Sequence, residues 1–252
     1  MANPIKARLG RISWTSEKTF DLDGLSYLVD VGTYQHKTRP DCVVILKPDD
    51  YFPAYADVIR GAPTRNVLEL GLWQGGSALA FASLLDPVRF VGIDICEPIE
   101  GFDQIRAQHP LGRRIGVHYR TSQDDAARLG AILADEFDGP LDLVIDDASH
   151  DYHLTRRAFE ILFPHVRPGG FYVIEDWGWA HMRGFGLWTD KPAMSNLIYQ
   201  LLMVNAGRPD LISAIQLFRG LAFIRKGRKA PVGGGMSLDE LCWMQDREYR
   251  LL

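Results

Sequence analysis

Four short apolar runs, each finishing on or beside an acid and separated by longer amphipathic stretches, constrain this chain more than any other feature. They are Asn66 to Leu70 with Glu69, Arg89 to Asp94, Leu141 to Asp146 followed by Asp147, and Gly170 to Glu175 followed by Asp176. Strands alternating with helical runs are the mark of βαβ units on a mostly parallel sheet. The helices fall at Ser77 to Leu85, Asp124 to Phe137 and Asp151 to Val166, with a weaker strand at Gly116 to Tyr119. Leu211 to Phe218 and Leu221 to Ile224 are separated by Arg219 and Gly220 alone, too short for a parallel crossover, so an antiparallel hairpin is expected. A further helix is expected from Asp49 to Arg60 and a short one from Ser237 to Leu241.

In an open parallel sheet the carboxyl ends of the strands face the ligand crevice. The first turn, Glu69-Leu70-Gly71-Leu72-Trp73-Gln74-Gly75-Gly76-Ser77, offers glycines for close backbone approach and a helix N-terminus. Asp94, ending the next strand, is placed to accept from ribose hydroxyls. A nucleotide-type cofactor fits, and these two elements do not separate a dehydrogenase from another nucleoside-cofactor enzyme.

Asp146-Asp147-Ala148-Ser149-His150 and Glu175-Asp176 close the other two strands. On neighbouring strands about 4.8 Å apart their carboxylates converge. Crowded carboxylates repel one another unless a cation neutralises them, and an oxygen-rich set selects Mg²⁺, Mn²⁺ or Ca²⁺ over Zn²⁺. The alternative is that Asp146 and Asp176 hydrogen-bond the backbone or ligand amines and no metal binds. His150, at the rim of this cluster, suits a general base, while His153 reads as a helix-start or substrate-facing residue and His118 and His165 as structural.

Composition narrows the class. Hydrophobic residues make up 46% and charged residues 24% of 252, which excludes wholesale disorder. A net charge of −4 argues against a binder that neutralises nucleic-acid phosphates. No apolar run approaches the roughly 20 residues of a membrane span, and MANPIKARLGRISW lacks a signal-peptide core, so a cytoplasmic location is expected. Cys42, Cys96 and Cys242 stand apart and suggest neither disulfides nor a thiolate zinc site.

Over residues 45 to 226, and with motif specificity from Val67 to Asp176, the chain resembles the class I S-adenosylmethionine-dependent methyltransferases, in particular the metal-dependent sugar O-methyltransferases. These include the macrolide-sugar enzymes, relatives described as cephalosporin hydroxylases, and mycobacterial enzymes acting on mannose or rhamnose units. The resemblance implies a Rossmann-like α/β fold: a mostly parallel seven-stranded sheet with a C-terminal antiparallel hairpin and helices on both faces. It implies that Asp147, Glu175 and Asp176 hold Mg²⁺, with Mn²⁺ able to substitute, and that His150 accepts the proton. Glu69, Gly71 and Ser77 would hold the methionine end of the cofactor, Asp94 the ribose, and Gln123 and Asp125 the adenine side.

The segment Trp177-Gly178-Trp179-Ala180-His181, running on to Phe185 and Trp188, follows the metal acids; Trp177 and Trp179 are candidates for stacking on a sugar acceptor, with core packing or an oligomer contact as alternatives. Tyr51 and Tyr55 either cover the cofactor or pack. The expected organisation is an N-terminal extension (1–48), a methyltransferase domain (49–226) and a tail (227–252) in a protein that self-associates. The expected acceptor is a carbohydrate or glycoside. Phenolic or catechol-like acceptors, NAD-linked oxidoreduction and cofactor binding without catalysis are the competing functions.

Overall fold

The structure is a computed structural model that describes residues 3–184, 190–229, 235–245, 247 and 249–251. It forms two compact units, Met1–Ser122 and Gln123–Leu252.

The first unit opens with α1 (Pro4–Leu9), capped by Asn3, whose side chain accepts from Ile5 N and Lys6 N. A four-stranded sheet follows: β1 (Ser13–Trp14), β2 (Thr19–Leu22) and β3 (Leu25–Val29) run antiparallel, and β4 (Val43–Ile45) joins parallel to β3. Phe20 and Tyr27 stack at 4.7 Å in its core. The sequence reading assigned no strands here.

After α2 (Tyr51–Val58), the strands β5 (Asn66–Leu70), β6 (Arg89–Ile93) and β7 (Ile115–His118) align in parallel, with α3 (Gly76–Leu85) and α4 (Glu100–Gln108) as connections. All ten residues of α3 are buried, which accounts for the absence of any charged residue from its sequence GSALAFASLL. Phe81 of α3 meets Tyr55 and Phe52 of α2 at 4.8 and 5.5 Å, so Tyr55 is a packing residue; Tyr51 is buried too.

The second unit comprises α5 (Ala126–Glu136), β8 (Leu141–Asp146), α6 (Tyr152–Leu162), β9 (Val166–Glu175), α7 (Ser195–Gly207), β10 (Ile212–Leu217), β11 (Leu221–Lys226) and α8 (Leu238–Leu241). β8 and β9 are parallel, β11 pairs antiparallel with β9, and β10 antiparallel with β11, so the expected hairpin is present. Every residue of β8 is buried, as in a strand covered on both faces. α6 buries Tyr152, Thr155, Phe159 and Leu162, one stripe at helical spacing. Three strands in the first unit and four in the second supply the seven implied by the resemblance, and the α/β, mostly parallel fold class holds. No helix among the described residues is long and apolar enough to cross a membrane.

Candidate functional site

The turn after β5 is shaped by glycines and by Asp94. Gly71 and Gly75 take φ of +88° and +77°, the left-handed region that costs glycine nothing. A Cβ on Gly76, the first residue of α3, would lie 2.1 Å from the Val44 carbonyl oxygen, so the helix N-terminus approaches β4 only without a side chain there. Asp94 Oδ2 accepts from Leu72 N at 2.7 Å and Trp73 N at 3.1 Å, and Oδ1 accepts from Cys96 N at 2.8 Å. The carboxylate expected to take the ribose thus also folds the turn; its lone pairs allow further bonds. Glu69 is fully buried with Lys47 Nζ 4.0 Å from Oε1, and Ser77 is buried in the first turn of α3.

In the second unit, Gln123 bridges to the loop after β8: its Oε1 accepts from Ser149 N at 3.0 Å. Its Nε2 is buried with no hydrogen-bond partner among the described residues. Asp125 is exposed and caps α5 by accepting from Arg128 N. Asp151 caps α6 through His153 N and Leu154 N, which fixes the residue before it, His150, at the mouth of the loop. Asp146 turns inward to Tyr172, whose hydroxyl donates to Oδ2 at 2.6 Å. Burial is the largest cause pushing its carboxyl up to about 7, with the Asp147 charge adding to it against the Tyr172 and Ala148 hydrogen bonds.

Asp147, His150 and Asp176 each present a ligand atom, all within 4.8 Å of one another. His150 Nε2 lies 3.7 Å from Asp147 Oδ1, and Trp179 covers the imidazole with ring centroids 4.4 Å apart. His150 and Asp176 both adopt left-handed backbone, φ +52° and +55°. Non-glycine residues in that region concentrate where function or packing enforces them. Here the hairpin does part of the enforcing: Asp176 N donates to Gly220 O at 2.6 Å, and Trp177 Nε1 donates to Phe218 O at 3.2 Å.

The structure therefore gathers Asp147, Asp176 and His150, with Trp179 against the histidine. Glu175 is a buried end residue of β9 that does not join the three. His153 is exposed on the first turn of α6, its ring edge-on to Tyr152. Phe185 and Trp188 lie outside the described residues. Sequence reasoning missed Lys47 and Tyr172; a lysine closing the apolar run of β4 was the one available signal.

A family model described as "Methyltransferase domain" matches residues 68–177. Mycinamicin VI 2''-O-methyltransferase of Micromonospora griseorubida is 34% identical over 186 residues, 64% of this chain and 44% of the relative. The 8-demethyl-8-alpha-L-rhamnosyl tetracenomycin-C 2'-O-methyltransferase of Streptomyces olivaceus is 34% identical over 253 residues, 81% of this chain and 67% of the relative. Against several such relatives the chain spans less than half of their length. Among solved structures, MycE methyltransferase from the mycinamycin biosynthetic pathway, in complex with Mg, SAH and mycinamycin VI, aligns with a TM-score of 0.54 and 28% identity, over 71% of this chain and 49% of that one.

Proposed function

The chain belongs to the class I S-adenosylmethionine-dependent methyltransferases of the sugar-methylating kind, and we propose that it methylates a hydroxyl of a saccharide or glycoside, with Mg²⁺ bound and His150 as general base. The observation that carries this reading is the convergence of Asp147, His150 and Asp176. Two carboxylates beside an imidazole fit a hard divalent cation, and the orphaned Gln123 Nε2 is a buried donor suited to an adenine ring nitrogen. The sugar acceptor is favoured by the relatives, whose names specify positions on glycosylated antibiotics.

Asp147 and Asp176 would hold the cation, with Glu175 the third acid of the proposed set. When bound, the cation lowers the cost of negative charge on a substrate oxygen, and S-adenosylmethionine supplies an electrophilic methyl group on a sulfonium. His150 Nε2, 3.7 Å from Asp147 Oδ1, would take the hydroxyl proton. Trp179 holds the imidazole in place by ring contact and would line the acceptor with Trp177 and His153. Glu69, Gly71, Ser77, Asp94 and Gln123 would bind the cofactor; Asp125 already serves as a helix cap and would contribute at most its second oxygen. Exposed Tyr199 and Leu202 on α7 and Trp243 beyond α8 support the reading that the protein self-associates, whereas Tyr249 is bonded to Asn196 of its own chain.

The test is calorimetric titration with S-adenosylmethionine and with NAD, followed by methyl-transfer assays on glycoside and catechol panels with Mg²⁺ or EDTA. Binding of S-adenosylmethionine and EDTA-sensitive methylation of a glycoside are expected. NAD binding in its place would overturn the methyltransferase reading, and preference for the catechols would overturn the sugar acceptor.

A further inference from the structure

β8 and β9 carry the clustered acids beyond their carboxyl ends; their amino ends open into a different space. Leu141 and Val166, which begin those strands, and Lys226, which ends the antiparallel β11, line a cavity of about 540 Å³ together with Gly130 and Leu133 of α5 and with Pro164. At about 3.3 Å per residue, the length of β8 sets this cavity on the order of 20 Å from Asp147. The volume is in the range of small-molecule sites, roughly 300–1,000 Å³.

Lys226 is the unusual lining residue. It occupies an inward-facing strand position and is 3% exposed. Its Nζ donates to Phe163 O at 2.8 Å and lies 4.3 Å from the Phe163 ring centroid. The other cations around the cavity have carboxylate partners: Arg167 has Asp142, and Lys229 Nζ is 3.6 Å from Asp210. Lys226 has none among the described residues, and burial alone draws its ammonium down to about 8. His165, on the same wall, is held below its usual value by burial and then by the Lys226 charge. An ammonium has three N–H groups, and one carbonyl and one ring face leave it short of an anion.

We propose that this cavity is a second ligand site, taking a small carboxylic acid whose carboxylate pairs with Lys226 Nζ and whose apolar body lies against Leu133, Pro140 and Pro164. One uncompensated cation matches a single negative charge, which favours a monocarboxylate over a phosphate dianion. The apolar wall supplies the rest of the affinity, and no part of the methyl-transfer site is involved.

The experiment is calorimetric titration of the full chain at pH 7 with octanoate, octanamide and inorganic phosphate. Octanoate is expected to bind saturably at one site, and octanamide and phosphate about tenfold or more weaker. Lys226→Met should lower octanoate affinity about tenfold or more. Leu133→Trp tests the cavity independently of charge: Leu133 lines it, and the larger side chain reduces the space for an apolar body, so octanoate affinity should fall about tenfold or more. Both variants should retain cooperative thermal unfolding. Failure of octanoate to bind the parent chain, equal binding of octanamide or phosphate, or undiminished binding by either folded variant would overturn the proposal.

Discussion

β5 and β6 finish beside Glu69 and Asp94, β8 and β9 beside Asp147 and Asp176, and the two sets of carboxylates stand in different surroundings. In the first unit Asp94 gathers three backbone N–H groups and shapes its turn, and Glu69 lies buried 4.0 Å from Lys47 Nζ. In the second unit Asp147 and Asp176 are held close to each other and to His150, an arrangement that like charges resist without a cation between them. An acid at a strand end is one sequence signal with two physical uses, conformational and chemical. What surrounds each acid tells them apart: Leu72 and Trp73 turn their N–H groups toward Asp94, whereas His150 and Asp176, in the left-handed conformation that Trp73 also adopts, present ligand atoms within 4.8 Å of each other and of Asp147.

The comparison breaks most sharply at His150. His150→Ala should reduce turnover about a hundred- to ten-thousand-fold while affinity for S-adenosylhomocysteine stays near the parent value. Activity within a few-fold of the parent would remove the histidine from the chemical set. Next come the acids beside it: Asp147→Asn and Asp176→Asn should each raise the Mg²⁺ concentration for half-maximal activity about tenfold or more. An unchanged Mg²⁺ titration would return these residues to the structural class.

Asp94→Asn should do the reverse. An amide oxygen replaces a carboxylate that accepts three backbone hydrogen bonds, so unfolding should cost about 1–3 kcal/mol less, read as a lower Tm. Cofactor affinity should weaken with the loosened turn, and the Mg²⁺ titration should not move. A shift in that titration as large as the Asp176→Asn shift would erase the distinction between the two sets.

Much of this was legible beforehand, for identifiable reasons. β5 and β8 are apolar runs buried on both faces, and no other local structure accommodates them, so their observed bounds coincide with those read from the sequence. The first sheet was not legible because its strands are two to five residues long and one face is solvated; Phe20 and Tyr27 reveal their pairing only once the chain has folded. α4 buries only Phe102 and Ile105 in a polar stretch, too sparse a stripe to announce a helix. At the site, Asp147, Asp176 and His150 were readable as chemistry beside strand ends. That Asp125 is used as a cap depends on where α5 begins.

The smallest expected effect extends the conformational class to a third acid. Asp30 is buried after β3, and its carboxylate accepts from the Thr33 hydroxyl, Gln35 N at 3.0 Å and His36 N at 3.1 Å, with His36 Nδ1 3.2 Å away. Burial on its own would raise this carboxyl; the Thr33 and His36 interactions outweigh it and hold it at about 2. A folded value below the unfolded one, about 3.9, means that the stabilisation is complete above the unfolded value and is lost as pH falls through the folded one. The Tm gap between the parent chain and Asp30→Asn should therefore be constant above about pH 5 and close between about pH 4 and 2. A gap that persists to pH 2 would mean that shape, not charge, ties the 30–36 loop down, and Asp30 would leave the class that Asp94 defines.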